Sequence, residues 1–298
     1  MNKPLVSFIT VNYNGLRDTV ELIKSIHETV FSISYEIIVV DNASTTDEAH
    51  KLREFFDDII VIQSEKNLGF AGGNNMGIKL ATADYFFFIN NDTLVSEDHF
   101  SELINKMDET PMIGGISPKL KFAYSPKNIQ FAGFSPLSSI TLRNEILGYG
   151  QPDEGQYEIA HVTPYLHGAA MLISRKVCEV VGLMSNIFFL YYEEMDWCTR
   201  IRKAGYELWY DPIQTIYHKE SQSTGKASKL QIYYLTRNRL LYAWRNLHGI
   251  KRLLSLIYLS TISATKNSLH FCIKGNFSLA ITIYKAIFAF ITLPNKKK

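Results

Sequence analysis

Apolar runs that end at a polar turn recur along the first hundred residues. Val6 to Val11 reads as a strand, and Asn12-Tyr13-Asn14-Gly15 as the turn into a helix that lasts until about Val30. Glu36 to Val40 is a second apolar run, ending at Asp41-Asn42-Ala43-Ser44 and followed after Asp47 by a helical stretch to Phe56. Ile59 to Ile62 is a third, short strand, and the glycine-rich stretch from Glu65 to Asn75 opens a helix to about Ala81. The fourth run, Phe86-Phe87-Phe88-Ile89, is aromatic throughout and suits a strand covered on both faces. Strands alternating with helical patterns predict βαβ units and a parallel sheet with four strand ends gathered at one edge.

The later chain is less regular. Between Pro111 and Pro164 only short segments stand out, among them Ile113 to Ser117 and Ile129 to Phe134. Pattern returns at His167-Gly168-Ala169-Ala170, a small-residue turn entering a strand, with room for a sugar ring. Phe188 to Tyr192 is another aromatic run, and it meets Glu193, Glu194 and Asp196 at the start of a helix that Gly205 stops. Tyr206 to Tyr210 and Ile213 to Tyr217 read as two closing strands, the second ending at His218. The segment Glu220 to Lys226 reads as a mobile loop, and Lys229 to Asn246 as a long helix.

Open parallel sheets bind ligands beyond the carboxyl ends of their strands. Asn90, Asn91 and Asp92 stand at such an end, so Asp92 is expected to project into a cleft, where its oxygens suit Mg2+ or Mn2+. A turn that merely caps the next helix explains the same residues. Glycines 69, 72 and 73 let a backbone approach phosphate or ribose closely, yet their spacing matches neither a dinucleotide nor a P-loop motif. Tight packing of strand on helix is the alternative reading of these glycines. His218, at a strand end, is placed for metal or phosphate contact.

Composition narrows the setting. Of 298 residues 46% are hydrophobic and 20% charged, so the chain is globular and long enough for one large domain or a domain with an appendage. Three scattered cysteines, Cys178, Cys198 and Cys272, form no metal-binding spacing and suit reduced thiols. The first residues carry no leader pattern, so secretion is not expected. The net charge of +2 hides a division: thirteen of the 31 Lys and Arg, and none of the 29 Asp and Glu, follow Glu220. A basic segment rich in Leu, Ile and Phe, too broken to span a bilayer, predicts amphipathic helices on an anionic membrane surface in preference to nucleic acid. The division falls at 1–246 for the α/β domain and 247–298 for the basic helical tail, whose apolar faces alternatively form a dimer interface.

The ordered blocks VSFITVNYNG (6–15), IIVVDNASTTD (37–47), EKNLGFAGGNNMG (65–77), FFFINNDT (86–93), HGAAMLISR (167–175), FFLYYEEMDWCTRIRKAGY (188–206) and His218 resemble the inverting GT-A glycosyltransferases of family 2, in particular their bacterial rhamnosyltransferase-like members. The resemblance spans roughly residues 5 to 240. It implies a Rossmann-like, mixed and mainly parallel sheet flanked by helices, a nucleotide-sugar donor linked to dTDP or UDP, and a divalent metal. It also implies a glycan or lipid-linked saccharide acceptor, as in O-antigen or other cell-surface polysaccharide synthesis, and a cytoplasmic protein peripheral on the inner face of the plasma membrane.

Carried onto this chain, the resemblance sets Asp41 on the donor's base or ribose, with Thr10, Asn12, Asn67, Gly69, Gly72, Asn74 and Asn91 nearby. Asp92 becomes the metal carboxylate, with Asn90 where relatives often carry a first Asp, and His218 a further ligand. Glu194 becomes the general base, with Glu193 as the competing assignment. A sugar-phosphate nucleotidyltransferase would share sheet, metal and nucleotide but carry a Gly- and Arg-rich loop after the first strand, which this chain lacks. A non-catalytic glycan-binding relative is the other alternative.

Overall fold

The computed structural model describes residues 3–220, 228–294 and 296; the segment from Ser221 to Lys226, read above as a mobile loop, lies outside the described residues. The first four strands are β1 (Val6–Asn12), β2 (Tyr35–Asp41), β3 (Ile60–Gln63) and β4 (Tyr85–Ile89), joined by α1 (Leu16–Thr29), α2 (Glu48–Phe55) and α3 (Gly69–Leu80). They lie in the order β3-β2-β1-β4, all parallel. The sheet continues through β5 (Thr93–Val95), β6 (Ile113–Phe122), β9 (Ala170–Ser174) and β10 (Glu207–His218) in the order β4-β9-β6-β10-β5. Here β9 runs antiparallel to both β4 and β6, whereas β6 and β10 are parallel. The edge strands β7 (Ser125–Phe131) and β8 (His161–Val162) pair with β6 and β10.

The two-residue period of a strand explains why the Phe-rich run is buried throughout. Phe87 and Ile89 enter a core beneath the sheet with Phe8 and Phe100, while Phe86 and Phe88 enter the opposite core with Ile9 and Trp197. Phe100 belongs to α4 (Phe100–Glu109), and its ring meets those of Phe8 and Phe87 edge-on at 5.2 and 5.1 Å. Full burial of each such ring stabilises the fold by roughly 1.5–3 kcal/mol.

Three segments differ from the sequence expectations. Residues Ile113–Phe122 form one ten-residue strand near the middle of the sheet rather than a short segment. The two closing segments, Tyr206 to Tyr210 and Ile213 to Tyr217, fall in a single strand, β10 (Glu207–His218), whose register slips between Asp211 and Thr215, where Pro212 cannot donate to the ladder. Phe188 to Tyr192 is not a strand: Phe189, Tyr191 and Tyr192 have φ of 68°, 67° and 73°, left-handed values costly for bulky side chains. The loop is held from α7 (Lys229–Asn246), where Asn238 donates to the carbonyls of Phe188, Leu190 and Tyr191, and Arg237 to those of Ile187 and Phe188. Between β9 and α7 lie α5 (Arg175–Val181) and α6 (Glu193–Lys203).

After α7 come α8 (Gly249–Tyr258), a π-helical turn (Leu259–Ser263), α9 (Ala264–Ile273) and α10 (Phe277–Thr292). These helices do not stand apart as an appendage: Leu259 and Phe290 share a core with Leu240, Leu241 and Phe188. Their outer faces are apolar nonetheless. Ile250, Leu253, Leu254 and Ile257 on α8, and Phe277, Ile281, Tyr284, Phe288 and Ile291 on α10, are exposed at helical spacing. Among the described residues no helix is long and apolar enough to cross a membrane.

Candidate active site

The carboxyl ends of β1, β2 and β4 open on a cavity of about 470 Å3, whose lining includes Tyr13, Asn42, Asn67, Gly69, Asn74, Asn90, Asn91, Asp92 and Phe189. Its size and its few convergent polar groups suit one mid-sized ligand. Leu230, near the start of α7, closes one side.

Two site residues distant in sequence meet at its floor. His218 Nε2 lies 3.1 Å from Asp92 Oδ1, and His218 Nδ1 lies 2.9 Å from Gln130 Oε1. In the tautomer that donates Nδ1–H to Gln130, Nε2 and the carboxylate are both electron-pair donors turned toward each other, an arrangement a shared proton or a cation satisfies. Among the described residues no group of three or more His, Cys, Asp or Glu is close enough to hold a metal. The pair therefore fits an ion such as Mg2+ or Mn2+ that takes one or two protein ligands and completes its shell with phosphate oxygens and water. Gln130 escaped sequence reading because nothing local marks it; β7 brings it under His218 through the sheet. His167 was read there only as part of a turn. Its ring lies 6.3 Å from that of His218, and burial, with His218 nearby, pushes its pKa down to about 3, so it stays neutral.

The residues assigned to the donor divide into two groups. Asn67, Gly69 and Asn74 line the cavity, and Asn67 Oδ1 accepts from Gly69 N at 2.8 Å. Gly69 has φ +70°, and a Cβ there would fall 1.9 Å from the Phe189 carbonyl oxygen, so only glycine lets this turn pass beneath the aromatic loop. Gly72 does not reach the cavity lining. It lies inside α3, where a Cβ would meet that of Leu68 at 2.5 Å, and Gly73 and Gly77 likewise bring the helix onto Val11 and Ile9. Packing, the alternative reading, accounts for these glycines.

Thr10, Asn12 and Asp41 are buried behind the cavity wall. Asn12 Nδ2 donates to Asp41 at 2.8 Å and to Glu48 at 2.8 Å, and Ser44 Oγ donates to Asp41 at 2.5 Å. They brace the strand ends from within, and Thr10 Oγ1 has no hydrogen-bond partner among the described residues. Asn91 lines the cavity, but its amide turns back to Thr19 Oγ1 at 3.0 Å. Asn90, whose backbone N–H donates to the Ala169 carbonyl at 2.9 Å, lines the cavity together with Asp92.

The two acids at the start of α6 occupy different surroundings. Glu193 is 2% exposed, and its Oε2 has no hydrogen-bond partner among the described residues. Burial, reinforced by the neighbouring charge of Glu194, holds its carboxyl well above the usual range. Glu194 is half-buried and is also raised by burial. Its Cγ would lie 3.7 Å from a Cβ on Gly168, and the Phe70 ring would lie 3.6 Å from the same point. Phe70 lines the cavity, so Gly168 and Glu194 lie next to one of its wall residues without lining it.

The description "Glycosyl transferase family 2" matches residues 7–182. The chain is 30% identical over 244 residues to a low-salt glycan biosynthesis hexosyltransferase of Haloferax volcanii, covering 79% of this chain and 74% of that protein. It is 25% identical to a dTDP-rhamnosyl transferase of Shigella flexneri, covering 80% and 82%. In fold it is similar to S. aureus TarS 1–349, with a TM-score of 0.59 at 15% identity over 96% of this chain and 80% of that one. A mannosyltransferase from Pyrobaculum calidifontis in complex with GDP-Man and Mn2+ has a TM-score of 0.58 at 14% identity, over 99% and 89%.

Proposed function

From the chain's membership of glycosyl transferase family 2, which makes it a nucleotide-sugar-dependent glycosyltransferase, we propose a specific reaction. It moves a hexosyl or deoxyhexosyl unit, rhamnose from dTDP being the first choice, onto a glycan or lipid-linked saccharide during cell-surface polysaccharide synthesis. The observation that carries the reading is the pairing of Asp92 with His218 beside a cavity at the strand ends, with Glu194 near the wall residue Phe70.

Glu194 takes the proton of the acceptor hydroxyl. The acceptor oxygen forms a bond to the anomeric carbon as the bond from that carbon to the diphosphate breaks, inverting the configuration and releasing the nucleoside diphosphate. A carboxylate raised by burial is a better proton acceptor than an exposed one. Glu193 is more deeply buried, and burial with the charge of Glu194 beside it holds its carboxyl well above the usual range, so it is the poorer candidate for a base that must ionise between turnovers. Asp92 and His218, with Asn90 beside them, would hold Mg2+ or Mn2+, which supplies charge neutralisation to the leaving diphosphate. The donor's nucleotide lies along Asn67, Gly69 and Asn74, with Phe189 over it.

The exposed apolar stripes on α8 and α10, in a segment whose only charged residues are Lys and Arg, support peripheral attachment to an anionic membrane surface, the inner face of the plasma membrane. Calorimetric titration with dTDP-rhamnose, UDP-glucose and UDP-N-acetylglucosamine, with and without Mn2+, tests the reading. Metal-dependent binding of one donor is the expected result, and absence of binding by all three with metal present contradicts the donor assignment.

A further inference from the structure

The left-handed loop from Phe188 to Tyr192 borders the cavity at one end and the acids of α6 at the other. Phe189 and Leu190 line the cavity, the Phe189 carbonyl accepts from Phe70 N at 2.8 Å, and Tyr192 leads directly into Glu193 and Glu194. Phe189, Tyr191 and Tyr192 all have positive φ although each carries a bulky side chain. Such a backbone persists only where its surroundings over-determine it, and it clusters at functional sites.

One face of α7 supplies that constraint. Asn238 is fully buried, and its Oδ1 accepts from Arg237 Nε at 2.8 Å. A guanidinium only donates, so this contact fixes which way the amide points. It turns Nδ2 to the loop, where the carbonyl oxygens of Phe188, Leu190 and Tyr191 lie at 2.8, 2.7 and 2.9 Å. One turn earlier, Tyr234 stacks on Phe189 with ring centroids 4.9 Å apart and 22° between the planes, and the Arg237 guanidinium lies 4.8 Å from the centroid of the Tyr234 ring. Phe189 is thus held by its carbonyl on Phe70 and by its ring on Tyr234. Farther along α7, Leu240 and Leu241 share a core with Phe188 and Phe290, which makes the helix a fixed support.

We propose that Asn238 and Tyr234 are positioning residues for the nucleotide-sugar donor. Asn238 fixes the course of the loop backbone, Tyr234 fixes the plane of the Phe189 ring, and together they set the shape of the cavity. Both act through the loop, because the cavity is lined by Phe189 and Leu190 and not by either of them. The proposal rests on the donor lying in this cavity, as read above, and names the residues of α7 that set its affinity.

The test takes two readings on the full chain. Hydrogen exchange at the Phe70 amide, relative to the amides of β1, reports the loop without any ligand. Calorimetric titration with dTDP-rhamnose, UDP-glucose and UDP-N-acetylglucosamine in the presence of Mn2+ reports the donor. Asn238→Ala speeds Phe70 exchange and raises the dissociation constant of the bound donor, each by at least about tenfold, the scale of losing a buried hydrogen-bonding partner. Tyr234→Ala raises the donor constant at least about threefold, and Tyr234→Phe, which keeps the stacked ring, stays within about twofold of wild type. A merely structural role lowers the stoichiometry of binding, since fewer molecules are folded, and leaves the dissociation constant of the rest unchanged. Tyr234 is half-buried, so its variants read the site even where Asn238→Ala disturbs folding. Unchanged Phe70 exchange in Asn238→Ala, an unchanged donor constant in either alanine variant, or a Tyr234→Phe variant as weak as Tyr234→Ala overturns the proposal. Binding of none of the donors by the wild-type chain removes the donor reading beneath it, an outcome that Phe70 exchange, measured without ligand, keeps apart from a failure of α7 to hold the loop.

Discussion

Asp92 and His218 are 126 residues apart in sequence, yet Oδ1 of one lies 3.1 Å from Nε2 of the other. The sheet makes this contact: β10 runs antiparallel to β5, with His218 opposite Thr93, so the last residue of one strand falls beside the loop that precedes the other. If the pair holds a divalent ion, Asp92→Asn and His218→Ala each weaken Mn2+-dependent donor binding by at least about tenfold. Gln130→Leu, which removes the partner of Nδ1, costs about 10–100-fold in metal affinity. Titration of Mn2+ at fixed donor measures both, and unchanged affinity in Asp92→Asn removes the carboxylate from the metal site.

Glu194→Gln should lower turnover by about 10²–10⁴-fold while leaving donor affinity within about twofold, since a general base contributes on that scale. Glu193→Gln should lose far less. Initial rates with saturating donor, beside calorimetric donor affinity, separate the two acids, and an active Glu194→Gln variant transfers the assignment to Glu193.

The protonation of Glu193 makes stability depend on pH. In the unfolded chain this acid ionises at its ordinary value of 4.5, while in the fold its pKa is raised. Between those two values the native state keeps a proton that the unfolded state has lost, so stability falls as pH rises through the window, by about 1.4 kcal/mol per unit. Below 4.5 the contribution is constant. Urea unfolding across pH should show this decline in the wild-type chain and a flatter profile in Glu193→Gln.

Two glycines of the same helix should respond differently to alanine. At Gly77 a Cβ would lie 2.5 Å from Ile9 Cγ2, so Gly77→Ala should cost about 1–3 kcal/mol of stability by forcing α3 off the sheet. Gly69→Ala meets the Phe189 carbonyl oxygen at 1.9 Å and carries a φ of +70°. It should displace the aromatic loop and weaken donor binding by at least about tenfold as well. Chemical unfolding and donor titration on both variants distinguish packing from site geometry.

Attachment to a membrane is expected to follow the stripe on α10. Replacing Phe277, Ile281 and Phe288 with Ser leaves the inward residues Ile283, Ala286 and Phe290 in place. At about 25 cal/mol per Å2 of buried apolar surface, each loss should weaken binding to anionic vesicles several-fold, as read by co-sedimentation. Binding equal to wild type excludes this face as the contact.

Much of the layout was legible in the chain itself, because short-range periodicity reports burial directly. The four parallel strands, the turns that end them and the long helix from Lys229 were readable from alternation and polar stops, and so was the placement of Asp92 at a strand end. Tertiary structure decided what depends on distant partners. It made β6 a long strand near the sheet's middle, joined the two closing segments into β10 across Pro212, and turned Phe188–Tyr192 into a left-handed loop under Asn238 and Arg237. It committed Gly72 and Gly73 to packing, withdrew Asp41 behind the wall, and set Gln130 under His218. A local pattern records which face of an element meets a core, but a carboxylate, an amide or a glycine takes its role from the atoms across from it, and only the folded sheet brings those atoms within reach.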